Sequence, residues 1–106
     1  MSEDPMWAVV MFDLPVQSKA QRSAATRYRN LLKDLGFQRV QYSVYARYSI
    51  TAAAALRLTR TLTMYLPEDG EVRMLRLTDK QWATAFRFIN GSAREIEEEP
   101  DSLLLF

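Results

Sequence analysis

Asp13 is the residue of this chain best placed to do chemistry. It ends the run from Trp7 to Pro15, where an unbroken apolar stretch finishes on a carboxylate before Leu14 and Pro15. Residues 6–12 are apolar at both parities, the pattern of a strand buried on both faces, so Asp13 falls where that strand emerges. Pro15 cannot donate to a sheet ladder and turns Leu14 away from helix, so the chain bends directly after the acid. A carboxylate there has two roles open to it: a turn aspartate accepting backbone N–H groups, or a metal ligand at a strand end. Composition narrows the rest. The chain has neither Cys nor His, which removes disulfides, thiolate chemistry, imidazole bases and His- or Cys-ligated metals. Any catalysis rests on carboxylates, hydroxyls, Lys or Arg. Two-metal phosphodiester hydrolysis needs several oxygen ligands around ions about 3.5–4 Å apart, and one such acid per chain is too few. A dimer offers two Asp13 carboxylates to one shared Mg²⁺ or Mn²⁺, with water and phosphate completing the shell. On the residues alone, binding outranks catalysis.

The second feature is charge. The net charge of +1 hides an uneven distribution. Glu95, Glu97, Glu98, Glu99 and Asp101 crowd the C-terminal end, while between Pro5 and Arg94 all 14 basic residues face six acids, a surplus of eight. A basic body favours a polyanionic partner, and an acidic tail can shade that surface or bind a basic protein. Lys19, Arg22, Arg29 and Lys33 fall on one helical stripe with no acid four residues away to neutralise it, the arrangement of a phosphate-facing surface; plain solvation is the alternative. Arg39 and Arg47 add to the basic set from a strand.

These residues need elements to hold them. Ser18 and Gln21 have capping-box spacing, opening a helix over residues 19–35 that Gly36 ends. Its apolar stripe is read as Ala24, Tyr28, Leu31 and Leu35, opposite the basic one. Residues 37–50 read as strand, with Val40, Tyr42, Val44, Ala46, Tyr48 and Ile50 on an apolar face and Arg39, Gln41, Ser43, Tyr45 and Arg47 on a polar, basic one. That length without Gly or Pro predicts a bend, bulge or tight turn at residues 41–43. Thr51 caps a second helix to about Tyr65, burying Ala55, Leu58, Leu62 and Tyr65. A turn at residues 67–70, a strand over 71–77, a short helix carrying Trp82 and a short strand over 86–89 follow. We divide the chain into a domain, residues 1–91, and an acidic tail, residues 92–106, whose apolar end Leu103, Leu104, Leu105 and Phe106 reads as a docking hook.

The order of elements is that of a ferredoxin-like α+β sandwich, βαββαβ. Two helices cover one face of a four-stranded sheet, yet the first strand is apolar on both. A second copy, sheet against sheet, is the economical cover, so the pattern predicts a homodimer whose two-fold axis pairs the Asp13 residues and the basic stripes. No apolar run approaches the roughly 20 residues of a membrane span, and the start lacks a basic signal-peptide region, so the expected location is the cytoplasm. The ribonucleoprotein motif of RNA-recognition domains, Walker loops and Gly-rich dinucleotide loops are absent.

Phe12-Asp13-Leu14-Pro15 after an apolar strand, the basic helix, then Leu35-Gly36-Phe37 and the block from Val40 to Tyr45 closely resemble the CRISPR-associated Cas-two (Cas2) family, in the branch whose first strand ends Phe-Asp-Leu-Pro. The similarity runs over about residues 6–91. It implies a ferredoxin-like homodimer acting in antiviral defence as the bridge between Cas-one integrase units during spacer acquisition, and it implies the metal-dependent endonuclease activity described for many members. Asp13 then matches the family's strand-end aspartate, assigned to Mg²⁺ at the dimer interface, and Ser43 is positioned near that interface. Residues 103–106 become candidate integrase contacts. Two principal readings result: a dimeric scaffold binding the backbone of a short DNA duplex, and a metal-dependent endonuclease cutting RNA or DNA between paired Asp13 carboxylates. A toxin-like ribonuclease on the same fold is a third.

Overall fold

The computed structural model describes residues 5–98. Strand β1, Met6–Asp13, is followed by helix α1, Lys19–Asp34, then β2, Gln38–Gln41, β3, Val44–Ser49, α2, Ala52–Thr63, β4, Glu71–Thr78, and a short helix α3, Asp79–Ala83. A hairpin of β5, Arg87–Ile89, and β6, Ser92–Arg94, closes the described chain. The main sheet has the order β2-β3-β1-β4 with every neighbouring pair antiparallel. This is the ferredoxin-like α+β sandwich that the sequence predicts.

Local chemistry sets the element ends. Ser18 and Gln21 form the predicted capping box, with the Gln21 N–H donating to Ser18 Oγ at 3.0 Å and the Ser18 N–H to Gln21 Oε1 at 3.1 Å. Helix α1 ends in a Schellman motif: the Gly36 N–H donates to the Lys33 carbonyl and the Phe37 N–H to the Leu32 carbonyl, each at 2.9 Å. Gly36 sits at φ +87° there, where a side chain would be strained. The bend predicted at residues 41–43 is a two-residue turn, Tyr42 and Ser43, between Gln41 and Val44, accompanied by a register shift between Arg39 and Gln41.

Strand β1 is buried on both faces, as its composition requires. Ala8, Val10 and Phe12 point into the helix layer with Tyr28, Leu32, Phe37, Tyr45 and Leu62. Trp7 and Val9 point the other way, 4% and 5% exposed, clustered with Ala46, which pairs with Val9 on β3. That second face is partly covered from within the chain: Trp82 of α3 stacks on Trp7, and Tyr48 meets the same ring edge-on. Among the described residues no helix lies over the half toward Asp13. Met11, Val40 and Val44 are half-buried there, and Leu75 is 41% exposed.

Three details differ from the sequence pattern. The buried stripe of α1 is Ala25, Tyr28 and Leu32, with Leu31 and Leu35 at its margin, where they pack against the core cluster that holds Tyr28 and Leu32. On α2 the buried set is Ala55, Thr59 and Leu62, and Tyr65 lies beyond the helix end, 60% exposed. The mostly polar parity of β3 turns out to face the helices, where Tyr45 is buried and stacks on Phe12 with centroids 5.7 Å apart. One aromatic ring in the core outweighs the polar neighbours on its own side.

Candidate site at the end of the first strand

The last residue of β1, Asp13, is exposed and shares the parity of Trp7, Val9 and Met11, so it belongs to the face turned away from the helices. Two neighbours fix its backbone. On one side the Phe12 N–H donates to the Ser43 carbonyl at 3.1 Å, tying the β2–β3 turn to the strand end. On the other, Asp13 pairs in register with Glu71 of β4, and Gly70 lies so close that a Cβ there would stand 2.5 Å from the Asp13 carbonyl oxygen and 2.9 Å from Pro15 Cδ. Gly70 has φ +93°, which admits the approach. Among the described residues nothing bonds to the Asp13 carboxylate, so the turn-aspartate role does not account for it.

One protomer falls short of a metal site. Glu71 is the nearest acid in the register, and its carboxylate is engaged by Arg73 at 3.2 Å. Among the described residues no group of three or more His, Cys, Asp or Glu converges on a point. Mg²⁺ takes six oxygen ligands near 2.0–2.1 Å, of which water and phosphate commonly supply several. A single free carboxylate is compatible with Mg²⁺ or Mn²⁺ when a second protomer brings its own.

The six cations named from the sequence divide by environment. Lys19 and Lys33 are exposed on α1, and Arg39 is exposed on the edge strand β2. Arg22 is exposed too, yet its Nη1 donates to the Val16 and Gln17 carbonyls at 3.2 and 3.1 Å, which braces the β1–α1 loop. Arg29 is half-buried with its guanidinium 5.8 Å from the Phe12 ring centroid, a cation–π contact. Arg47 is half-buried against Gly36, and its Nη1 donates to the Tyr48 carbonyl at 3.3 Å. The sequence pattern missed Arg27, exposed on α1 and lining a shallow depression with Lys19, Arg22, Ser23 and Thr26. Its position off the strict stripe hid it, although a wider helical window includes it. Among the described residues the ion pairs are Arg73–Glu71 and Arg87–Glu97, so the α1 cations keep their charge uncompensated. Leu103, Leu104, Leu105 and Phe106 lie outside the described residues.

Residues 6–85 match the family model of the CRISPR associated protein Cas2. The chain belongs to the Cas2 family. A CRISPR-associated endoribonuclease Cas2 from Paracidovorax avenae is 46% identical over 101 residues, spanning 95% of this chain and 94% of that protein. Another from Parvibaculum lavamentivorans is 34% identical over 95% of this chain and the whole of its own length. The crystal structure of Streptococcus pyogenes Cas2 at pH 6.5 superposes with a TM-score of 0.53 at 28% identity, covering 72% of this chain and 89% of that one. A second Cas2 crystal structure, 22% identical, shares the fold at a TM-score of 0.57 over 91% of this chain and 98% of its own. This Cas2-family chain is therefore a component of a CRISPR system, and its Phe-Asp-Leu-Pro strand end lies inside the matched region.

Proposed function

We propose that the chain works as a homodimer that binds nucleic-acid backbones and hydrolyses RNA phosphodiesters at a site made from two Asp13 carboxylates. The observation that carries this reading is the placement of Asp13: exposed, and, among the described residues, unbonded and on the sheet face whose near half no helix covers. A second copy laid on Met11, Val44 and Leu75 buries that strip and brings two acids together. Strand β4 is also an edge, and Phe86, just before the β5–β6 hairpin, and Phe88 within it are 89% and 64% exposed, further apolar surface that a second copy can bury. Relatives bearing the name endoribonuclease support the reaction class. A Mg²⁺ or Mn²⁺ ion held by the paired acids would stabilise charge on the phosphate and lower the pKa of bound water. The basic α1 surface would hold the strand by its phosphates, with weak sequence preference.

The test is a cleavage time course on single-stranded RNA and duplex DNA, with and without Mg²⁺, for the wild type and Asp13→Ala. Cleavage that EDTA stops and Asp13→Ala lacks supports the reading; equal Mg²⁺-dependent cleavage by the variant overturns it. The dimer is checked separately, since Leu75→Lys should shift sedimentation to a monomer while the far-ultraviolet spectrum stays native.

A second reading is favoured by the uncompensated α1 cations and by the scarcity of ligands in one protomer. Here the dimer is a scaffold that spans a short DNA duplex between Cas-one integrase units during spacer acquisition. Absence of cleavage by the wild type as well as by Asp13→Ala, with both still dimeric and binding duplex DNA, supports it. Either reading fits a protein of the cytoplasm, and no described helix is long and apolar enough to cross a membrane.

A further inference from the structure

Tyr42 is 80% exposed at the tip of the β2–β3 turn. Two-residue hairpin turns favour Gly, Asn and Asp, yet this one carries an aromatic ring and a serine held at φ 63°. Neither residue is the choice of a turn optimised for folding alone, and left-handed backbone at a non-glycine residue is kept where surrounding structure enforces it. The enforcement is visible. The Ser43 carbonyl accepts the Phe12 N–H at 3.1 Å, and Tyr45, two residues on, is buried and stacked on Phe12. The turn tip and Asp13 are thus both anchored to Phe12, Tyr42 through its neighbour Ser43 and Asp13 directly. Two virtual bonds of 3.8 Å and one strand-to-strand step limit the Tyr42–Asp13 Cα separation to roughly 13 Å. That is about two nucleotides along an extended strand. Arg39 and Gln41, both exposed, lie on β2 of the same hairpin.

We infer that Tyr42 is a stacking platform for an unpaired nucleobase, next to the phosphate that Asp13 faces. This rests on the nucleic-acid reading above and deepens it, since it makes a single strand the preferred ligand at this end of the sheet. An exposed aromatic face on a hairpin that also carries a cation, Arg39, recognises any base through its π surface, without sequence readout. A duplex keeps its bases stacked on one another, so the platform has no base to take there.

The test uses the full-length wild type, Tyr42→Ala and Tyr42→Phe, without divalent ions so that the strand stays intact. The probes are a 12-nucleotide RNA carrying 2-aminopurine and the same strand in a blunt duplex. The expected results are quenching of 2-aminopurine by the wild type, about tenfold weaker single-strand binding by Tyr42→Ala, retention by Tyr42→Phe, and unchanged duplex affinity. If Tyr42→Ala binds the single strand like the wild type, or loses both probes equally, the platform is overturned while the nucleic-acid reading stands. If it sediments at a smaller size than the wild type, Tyr42 is a contact between copies and the inference is wrong. A wild type that binds neither probe overturns both.

Discussion

The indoles of Trp7 and Trp82 lie face to face, their centroids 4.6 Å apart and their planes 14° from parallel. Both N–H groups are used: Trp7 Nε1 donates to Asp79 Oδ1 and Trp82 Nε1 to the Glu97 carbonyl, each at 2.8 Å. The pair clips α3 and the chain leading to Glu97 onto the far end of the sheet. Trp82→Ala should lower the unfolding free energy by about 3 kcal/mol, from the exposed area and the vacated stack. Asp79→Ala should cost less, about 1–2 kcal/mol, by leaving the buried Trp7 N–H without its acceptor. Urea unfolding with unchanged slope for both variants checks the order of the two effects.

Tyr28 carries a different kind of strain. Its ring is 2% exposed in the core, T-shaped to Phe12, and its hydroxyl is buried with no hydrogen-bond partner among the described residues. Burial pushes its pKa up to about 12 by disfavouring the phenolate. In the unfolded chain the group titrates near 10, so between pH 10 and 12 the unfolded state releases the proton and the folded state keeps it. Stability therefore falls as pH rises through that window, by at most about 3 kcal/mol from this group. Tyr28→Phe removes the unpaired hydroxyl and should be as stable as the wild type or about 1 kcal/mol more so at neutral pH. Its alkaline destabilisation should be the smaller one in thermal melts across that range.

The parts of this fold that the sequence made legible are those ruled by local chemistry. The caps at Ser18, Thr51 and Thr78 all form, because each side-chain oxygen reaches an N–H three residues on. The two-sided burial of β1 follows from its unbroken apolar run. What escaped depends on contacts distant in the chain. Tyr45 faces the helices because Phe12 and Tyr28 wait there, which no periodicity within residues 37–50 reveals. Trp82 reaches across to Trp7, 75 positions away, and covers a face that the element count left bare. At the site, Asp13 was readable from its strand end, whereas the bracing of Arg22 and the ring contact of Arg29 emerge only once the loop and the core are in place.

Gly70 should prove as necessary to the site as the acid beside it, for the opposite reason. Asp13→Asn removes a charge that is exposed and unbonded, so its unfolding free energy should stay within about 0.5 kcal/mol of the wild type. Gly70→Ala forces a Cβ to within 2.5 Å of the Asp13 carbonyl at a φ of +93°. That should cost about 1–3 kcal/mol and shift the strand end. Backbone amide exchange at residues 12–14 should rise in Gly70→Ala and not in Asp13→Asn.

The α1 cations separate by what else they do. Lys19 and Lys33 stand exposed on the helix surface, so Lys19→Ala and Lys33→Ala should leave the melting temperature unchanged while weakening nucleic-acid binding. For each phosphate that a variant no longer neutralises, the slope of log affinity against log salt should become shallower by about 0.9 on duplex DNA and about 0.7 on a single strand. Arg22→Ala removes the two carbonyl hydrogen bonds that brace residues 16 and 17, so it should lower both stability and affinity. Arg22→Lys keeps the charge but not the two-pronged geometry, and should recover the salt slope without recovering the melting temperature. Measuring both quantities for the four variants separates a phosphate-binding cation from a structural brace. Equal salt slopes in Lys19→Ala, Lys33→Ala and the wild type would move the backbone-binding surface away from this helix.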